Sequence, residues 1–415
     1  MSKLPSTLDL PSGFLRPNYL DGTIGNVPAT VAAVLGVPFN GLTRLPKPLW
    51  QPLAGAKRVV LLIVDAMGWN LLEKERENLD GVLGKTAAFG QISSIFPSTT
   101  VAALSSLWTG LSPAQHGLVG LSLFMPQYAA TTQMLKFTPT FGNYPDALIQ
   151  AGLEPDTFLH GPGFAEQLAQ AGIPTYSFKG REIVDSALSK MHGRGVAEDV
   201  GIVSFPDLMV RMRTLLEEKA GDSLYVCGYW PSIDTMSHIY GWDHEAVAAE
   251  LHAIFHLIQH EFLQKLSETA RKDTAFFIVA DHGQILTPAE QTIYLEDHPA
   301  LQEMLFMRPA GEPRTPYLYA KHGCQQKIID YINKELGHAM VAIASELALQ
   351  AGLLGPLPHA HHTAARTGDV LVTMQDGYLF LTEKERESVQ KMRGRHGGMT
   401  EAEMKVPWLG FKLDE

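Results

Sequence analysis

Short apolar runs alternate with amphipathic stretches along the chain. Residues 59–64 are six consecutive apolar residues, which is typical of a strand buried on both faces of a parallel sheet. The same pattern predicts strands at 58–64, 91–96, 223–229, 274–280 and 369–374, and helices at 27–35, 68–77, 99–110, 165–172, 205–220, 244–271 and 341–350. This alternation predicts a doubly wound α/β fold with a mostly parallel central sheet and helices on both faces.

The length suits either two or three average domains or one large α/β domain with insertions, since the chain has 415 residues. We expect a single α/β core over residues 1–415. Pro and Gly are frequent in about the first 55 residues, and we interpret this part as an N-terminal arm lying over the core.

Composition narrows the classes of function. With 45% apolar residues the chain is too hydrophobic to be mainly disordered. Lys and Arg number 33 against 44 Asp and Glu, a formal charge of −11, which argues against a general nucleic-acid binder or a binder of anionic membranes. An anionic substrate remains compatible with this charge, because local cations or metal ions invert the field at a site.

The sequence also bears on the compartment. No apolar run reaches the roughly 18 residues that a membrane span needs, and the first residues show no signal-peptide pattern. The chain has two cysteines, Cys227 and Cys324, too few for a disulfide framework, and we expect both to be reduced thiols. We therefore expect a soluble cytoplasmic protein.

Three of the predicted strands end next to side chains that ligate metals. Asp65 follows the first strand, Asp281 and His282 follow the strand at 274–280, and Asp234 and His238 follow the strand at 223–229. Each of these side chains could instead have a purely structural role, in a turn, as a helix cap or in an ion pair on one helix face. The carboxyl ends of neighbouring parallel strands meet at one edge, so convergence of all of them predicts a metal site, with zinc first and manganese or iron as alternatives.

Two hydroxyl residues, Thr99 and Thr100, begin the predicted helix at 99–110, just after a strand. A helix N-terminus offers free N–H groups and positive potential, which suits a phosphate group. A nearby metal ion lowers the pKa of a hydroxyl and makes it a nucleophile. The alternative is that both residues only cap the helix.

Several short sequence motifs follow one another between residues 64 and 398. They are 64–68, 96–100 followed by 108–117, 234–238, 280–283 and 395–398. Together they resemble the alkaline phosphatase superfamily, and within it the nucleotide pyrophosphatase/phosphodiesterase branch. The sulfatase branch is disfavoured because its Cys-x-Pro-x-Arg block does not occur, and the phosphoglycerate mutase and alkaline phosphatase branches are disfavoured by Thr in place of Ser.

The resemblance implies two divalent metal ions, zinc or alternatively manganese, and a threonine nucleophile. In this branch the nucleophile lies three residues after a proline and ten before a glycine, and both counts select Thr100, with Thr99 as the alternative. The implied ligands are Asp65, Asp281, His282 and the nucleophile for one ion, and Asp234, His238 and His396 for the other.

The resemblance also implies a small inserted cap over the site, which we expect at about residues 300–380. Arg314 lies in that stretch and could bind a substrate phosphate, although a surface turn explains it as well. The branch usually has an Asn that helps to hold a phosphoryl oxygen, and the matching position here is Leu121. That contact would then come from a backbone N–H, from Ser122 or from another part of the chain.

These observations together lead to one expected function and its alternatives. We expect a metal-dependent hydrolase of small-molecule phosphate diesters or pyrophosphates. A phosphonate (C–P) hydrolase or a phosphomonoesterase on the same core is the first alternative. A non-catalytic metal-binding or sensor protein that keeps the fold is the alternative from another class.

Overall fold

The computed structural model describes residues 8, 10–142 and 144–414. The strands, in chain order, are β1 (Arg58–Val64), β2 (Ala88–Ser93), β3 (Ser122–Met125), β4 (Ala130–Gln133), β5 (Thr138–Pro139), β6 (Thr175–Gly180), β7 (Glu198–Ile202), β8 (Leu224–Trp230), β9 (Thr274–Val279), β10 (Ile285–Leu286), β11 (Thr292–Tyr294), β12 (Ala310–Gly311), β13 (Pro316–Leu318), β14 (Met340–Ala344), β15 (Val370–Met374), β16 (Leu379–Leu381), β17 (Gly394–Arg395) and β18 (Lys405–Lys412).

Helices occupy most of the remaining regular structure. They are α1 (Val27–Leu35), α2 (Trp69–Lys74), α3 (Arg76–Leu83), α4 (Thr100–Thr109), α5 (Pro113–His116), α6 (Ala147–Gln150), α7 (Phe164–Gln170), α8 (Ala187–His192), α9 (Phe205–Glu218), α10 (Ser232–Tyr240), α11 (Glu245–Leu257), α12 (Glu268–Arg271), α13 (Pro299–Met304), α14 (Gln325–Tyr331), α15 (Ser345–Gln350), α16 (Thr363–Arg366), α17 (Arg386–Lys391) and α18 (Glu401–Met404).

The main sheet has the order β2-β18-β9-β1-β8-β6-β7. Every pair in it is parallel except the two made by β18, which runs antiparallel to both β2 and β9. All seven residues of β1 are buried, so the sheet is covered on both faces at its centre. The predicted α/β fold with a mostly parallel central sheet is therefore confirmed.

A second sheet is antiparallel and has the order β14-β15-β13-β12-β3-β4-β5. Most of it comes from the region 300–380, for which a cap was expected, and the rest comes from residues 122–139. The single backbone pairing of Gly311 with Ser122 joins these two parts of the chain. This pairing brings the turn after β12 close to the start of α4, where Thr99 and Thr100 lie.

The N-terminal region lies against the core at several points. Helix α1 has the predicted bounds and packs on β1 and α4. Backbone bridges join Thr23 to Ser93 and Phe14 to Thr400. Residues 1–7 and 9 of the predicted arm lie outside the described residues.

Two local predictions were wrong, and one predicted strand lies outside the main sheet. The segment 341–350 was expected to be one helix, but its first part is β14 and only Ser345–Gln350 is helical. The predicted helix at 244–271 changes to a π-helical segment at Ile258–Leu263, and a new helix begins after Ser267, whose side chain caps α12. The strand at 369–374 exists as β15, but it belongs to the second sheet and not to the main one.

Both cysteines are free thiols, as expected, with Cys227 buried and Cys324 partly exposed. Among the described residues, no helix combines the length and the apolar character that crossing a membrane requires.

Candidate active site

Polar side chains gather at the carboxyl ends of the three central strands. Asp65 directly follows β1, and the neighbouring strand β9 is followed by Asp281 and His282. On the other side of β1, β8 leads into α10, which carries Asp234 and His238 one helical turn apart. Strand register alone thus brings the predicted ligands to one edge of the sheet.

His396 reaches the same place through a different connection. The short strand β17 ends at Arg395 and pairs antiparallel with β10, which begins three residues after His282. As a result the rings of His396 and His282 stack with their centroids 3.7 Å apart.

Thr100 is the first residue of α4, and Thr99 before it has extended backbone geometry, which is the usual N-cap arrangement. The Thr100 hydroxyl oxygen lies 3.1 Å from Nε2 of His282. The small residues after Thr100 let α4 pack against the core, since every residue from Val101 to Thr109 is buried. The structure therefore brings Thr100 next to the gathered ligands, as predicted.

The three histidines are oriented in the same way. Each places Nδ1 against a backbone carbonyl oxygen: His282 on Gly283 at 3.0 Å, His238 on Gly394 at 2.7 Å, and His396 on Ser98 at 2.9 Å. A carbonyl oxygen only accepts, so Nδ1 carries the proton in each ring. In the neutral rings Nε2 then presents a lone pair, and this second-shell arrangement is typical of metal-binding histidines.

Each of these Nε2 atoms faces carboxylate oxygens. Nε2 of His282 lies 3.3 Å from Oδ1 of Asp65 and 3.4 Å from Oδ2 of Asp281. Oδ1 of Asp234 lies 3.3 Å from Nε2 of His238 and 3.6 Å from Nε2 of His396. Lone pairs at these distances repel one another unless a proton or a cation lies between them.

Protons do not supply that charge at neutral pH in the buried rings. Burial is the main cause that lowers the pKa of His282 to about 4 and the pKa of His396 to about 3. Both rings are therefore neutral at pH 7, and their mutual stacking disfavours a second positive charge further. A divalent cation among the Nε2 and carboxylate atoms would satisfy them together.

Two buried carboxylate oxygens of the site also lack a hydrogen-bond partner. Oδ1 of Asp65 and Oδ2 of Asp281 are buried and have no hydrogen-bond partner. The other oxygens of these groups are bonded: Oδ2 of Asp65 accepts from the Tyr229 hydroxyl, and Oδ1 of Asp281 accepts from the backbone N–H groups of Ala66 and His282 at 3.1 and 3.0 Å. The unsatisfied oxygens are the two that face Nε2 of His282, which is the geometry of an anion pair built for a cation.

Electrostatics agrees with this geometry. Burial, followed by the charges of Asp281 and Asp234, raises the pKa of Asp65 well above its usual range. Burial likewise raises the pKa of Asp281 to about 6. Without a cation, two adjacent buried carboxylates are costly at neutral pH.

Asp234 differs from the other two carboxylates. Its burial opposes ionisation, but His238, His396 and a hydrogen bond from Gln284 outweigh that effect and lower the pKa of Asp234. Gln284 Nε2 donates to Oδ1 of Asp234 at 2.6 Å and fixes this carboxylate in the site. Asp234 thus stays anionic between the two groups of ligands.

Two sets of side chains could hold metal ions, with ligand atoms within 4.8 Å of one another in each set: Asp234, His238 and His396 form one, and Asp65, Asp234 and His282 form the other. Carboxylate oxygen and imidazole nitrogen suit zinc and similar divalent ions. The residues of this chain therefore fit such ions.

The expectation that Arg314 contacts substrate needs correction. Its guanidinium is fully buried and donates from Nε and Nη2 to the two carboxylate oxygens of Glu403, at 2.9 and 2.8 Å, and from Nη1 to the Tyr378 carbonyl. The Glu403 carboxylate also accepts from the N–H of Gly398, and its carbonyl accepts from the N–H of Gly283. Arg314 therefore supports the loops that carry His396 and His282 and does not face the cavity.

A cavity of about 250 Å³ opens beside Thr100 and the ligands of α10. Leu121, which occupies the position of the branch's Asn, lines it, as do Glu312 and Arg395. Glu312 accepts a hydrogen bond from the Leu121 N–H at 2.6 Å and is hydrogen-bonded to the Thr99 side chain. Burial raises the pKa of Glu312 to about 7. The Leu121 N–H is thus already engaged within the protein.

Three residues of the site were missed by sequence reasoning. Tyr229 lies on β8, shortly before Asp234 in the sequence, and Gln284 directly follows the Asp281-His282-Gly283 triplet. Both residues are therefore close in sequence to predicted ligands, and this closeness could have identified them. Glu312 gave no such signal, because it reaches Thr99 only through the pairing of Gly311 with Ser122.

Comparisons with known proteins agree with this arrangement. Residues 59–399 match the family model described as type I phosphodiesterase / nucleotide pyrophosphatase. No match is found among curated proteins.

Solved structures share the fold. Murine ectonucleotide pyrophosphatase / phosphodiesterase 5 is 18% identical with a TM-score of 0.64, covering 85% of this chain and 87% of that one. An inactive threonine-to-alanine variant of the murine protein in complex with AMP has 17% identity, the same coverage and a TM-score of 0.64. Phosphonoacetate hydrolase from Sinorhizobium meliloti 1021 in complex with phosphonoformate is 18% identical with a TM-score of 0.63, covering 85% of this chain and 89% of that one.

Proposed function

The chain belongs to the type I phosphodiesterase / nucleotide pyrophosphatase family, whose members are hydrolases acting on phosphoesters, and we propose that it hydrolyses phosphate diesters or pyrophosphates with Thr100 as nucleophile and two divalent metal ions. The observation that carries this proposal is the Thr100 hydroxyl, 3.1 Å from Nε2 of His282 and next to two unsatisfied carboxylate oxygens.

The proposed ligands are those that the family resemblance implies, and they differ from the second geometric set in having Asp281 and Thr100 in place of Asp234. Asp65, Asp281, His282 and the Thr100 hydroxyl would hold one ion, and Asp234, His238 and His396 would hold the other; we propose zinc for both, with manganese as the alternative. When bound, such ions act as Lewis acids that lower the pKa of a hydroxyl and neutralise charge on attacking and leaving oxygens.

The chain's own residues position the reacting groups. Thr100 Oγ1 loses its proton and attacks phosphorus in line with the leaving oxygen; the P–O bond to the leaving group breaks, and its electron pair stays on the leaving oxygen. Water then hydrolyses the phosphothreonine ester and restores the Thr100 hydroxyl. Because Thr100 begins α4, the phosphoryl oxygens meet the positive end of the helix and its free N–H groups. Arg395, a cationic side chain in the wall of the cavity, adds positive charge on the side of His396.

Glu312 favours a diester over a monoester. Its carboxyl lines the same cavity and holds the Thr99 side chain beside the nucleophile. An aryl monoester brings two negative charges to the phosphoryl position and a diester brings one, so an ionised Glu312 opposes the monoester more strongly.

Phosphonate hydrolysis is the second candidate, favoured by the similarity to phosphonoacetate hydrolase, which covers as much of this chain as the similarity to the murine phosphodiesterase. A panel of bis(p-nitrophenyl) phosphate, p-nitrophenyl phosphate and phosphonoacetate, assayed on one zinc-loaded preparation, separates the candidates. We expect the diester to have the largest kcat/KM. Turnover of phosphonoacetate alone would establish the second candidate, and zinc-loaded protein inert to all three would support a metal sensor. The expected cytoplasmic location stays a prediction.

A further inference from the structure

A second cavity, of about 290 Å³, lies along α4. Its walls are mainly apolar side chains from three elements: Leu104 and Trp108 on α4, Phe178 on β6, and Leu188 on α8. All four are buried. The volume is near the lower end of the roughly 300–1,000 Å³ found for small-molecule pockets.

This apolar cavity adjoins the proposed reaction centre. Thr100 and Leu135 line both it and the cavity that contains Asp234, His238 and His396. From Thr100 to Trp108 is eight residues of helix, a length of about 12 Å. A group attached to phosphorus at Thr100 therefore has about that length available along α4.

Lys179 and His192, the two basic side chains that line the apolar cavity, are satisfied within the protein. Lys179 is paired with Asp199 at 2.9 Å, so its charge is balanced. His192 Nε2 lies 2.9 Å from the Ser105 hydroxyl, and burial lowers the pKa of His192 well below its usual value, so the ring is neutral. The Ser177 hydroxyl is fully buried and has no hydrogen-bond partner, so it presents no open polar group to an occupant.

We infer that the apolar cavity binds the organic group that phosphorus retains, and that this group is a compact apolar one, aromatic or branched aliphatic. This inference rests on the proposed function of the adjoining site. It follows from the position of Thr100, which lines both cavities, and from the apolar walls.

A nucleoside fits these walls poorly. Its ribose hydroxyls and base heteroatoms would lose water against Leu104, Phe178 and Leu188, while Lys179 and His192 are already paired within the protein. Unpaired polar groups are costly to bury. An aromatic hydrocarbon ring loses nothing on leaving water and gains contact with Trp108 and Phe178.

The test compares p-nitrophenyl phosphodiesters that share one leaving group and differ in the retained group: methyl, phenyl and thymidine-5′. We expect kcat/KM for the phenyl ester to exceed the value for the methyl ester by about 10- to 100-fold, since burial of one ring supplies that much binding. The thymidine ester should fall below the phenyl ester. Equal values for methyl and phenyl, or the highest value for thymidine, would overturn the inference while leaving the proposed hydrolase intact.

A variant that fills the cavity provides the matched comparison. Ser189 lines the cavity from α8, and Ser189→Phe should bring the phenyl-to-methyl ratio close to one. Val203→Phe adds the same bulk at an exposed position and should keep the wild-type ratio. Thermal melting of both variants identifies one that fails to fold, and Leu104→Trp then serves as the second filled variant.

Calorimetric binding of diphenyl phosphate and dimethyl phosphate separates the inference from turnover. We expect diphenyl phosphate to bind about tenfold or more tightly than dimethyl phosphate in the wild-type protein, and not in Ser189→Phe. This preference together with no hydrolysis of any ester would refute the proposed function and leave the binding site standing. Equal binding of both ligands would overturn the inference, whatever the turnover.

Discussion

Oγ1 of Thr100 lies 3.1 Å from Nε2 of His282, whose other ring nitrogen is held by the Gly283 carbonyl. This contact joins the N-terminus of α4 to the carboxyl end of β9, two elements that are 182 residues apart in the chain. The hydroxyl of Thr100 thus contacts a predicted metal ligand, whereas the Thr99 side chain is hydrogen-bonded to Glu312.

Replacing each threonine separately tests that distinction. Thr100→Ala should reduce kcat for a diester by at least about a thousandfold, because the attacking oxygen is removed. Thr99→Val loses only the hydrogen bond to Glu312 and should cost far less. Steady-state kinetics with equal metal content in both variants decides the matter, and a larger loss in Thr99→Val would reverse the assignment.

Removal of metal should abolish turnover and lower the melting temperature, because Asp65 and Asp281 then face each other as buried carboxylates without a cation. We expect about two ions per chain by elemental analysis, and about one after Asp234→Asn. Asp297→Asn, which neutralises an exposed carboxylate, is the control and should keep the full content. Full activity in a chelated, metal-free sample would contradict the metal assignment.

Arg314→Met should act on stability and metal affinity. It leaves Glu403 buried without its partner, which costs about 3–5 kcal/mol, and loosens the loops of His396 and His282. At saturating zinc the KM for substrate should stay near the wild-type value. Chemical denaturation and zinc titration measure the two effects, whereas a large rise in KM alone would restore the earlier idea that Arg314 binds substrate.

Glu312→Gln should shift preference toward monoesters, because it removes a negative charge from the wall beside Thr99. We expect the ratio of diester to monoester kcat/KM to fall by about tenfold above pH 7. Since Glu312 has a pKa of about 7, the wild-type ratio should rise with pH through that value, and the variant should show no such rise. A ratio that is the same in both proteins at pH 8 would show that Glu312 plays no part in selectivity.

His116 should make the fold sensitive to acid. Its Nδ1 accepts from the Leu118 N–H, its Nε2 faces Ser106 at 3.1 Å, and burial lowers its pKa to about 3. A pKa lowered on folding means that the unfolded chain binds the proton first, so the stability is complete above about pH 6.5 and is lost as the pH falls toward 3.

The corresponding measurement is urea denaturation at pH 7 and pH 5. His116→Gln should lose about 2 kcal/mol less between these values than the wild-type protein does. Equal losses in the two proteins would mean that His116 does not contribute to the pH dependence.

Local patterns predicted the parts of the fold that are locally determined. Six apolar residues precede Asp65, and α1 is rich in alanine. Each of these patterns favours one kind of secondary structure, and both elements have the predicted bounds. Strand β18 was not found, because it contains Pro407 and lies antiparallel inside a parallel sheet, where its partners β2 and β9 are remote in sequence. Residues 340–344 form a strand for a similar reason, through pairing with β15.

The site shows the same division. Residues that directly follow strands, such as Asp65 and Asp281, were predictable because strand order decides where they meet. Arg314 was misread because nothing near it in sequence indicates Glu403, which is 89 residues away. Glu312 directly follows β12 of the second sheet, and its contact with the start of α4 exists only in the folded chain.

The central claim is that Thr100 carries the phosphoryl group during turnover. The most direct measurement is rapid acid quench of the zinc-loaded protein with bis(p-nitrophenyl) phosphate, followed by peptide mass mapping. The claim predicts a p-nitrophenyl phosphoryl adduct on Thr100 within the first turnover and none in Thr100→Ala. An adduct on Thr99 or elsewhere, or continued turnover by Thr100→Ala with no covalent adduct, would contradict it.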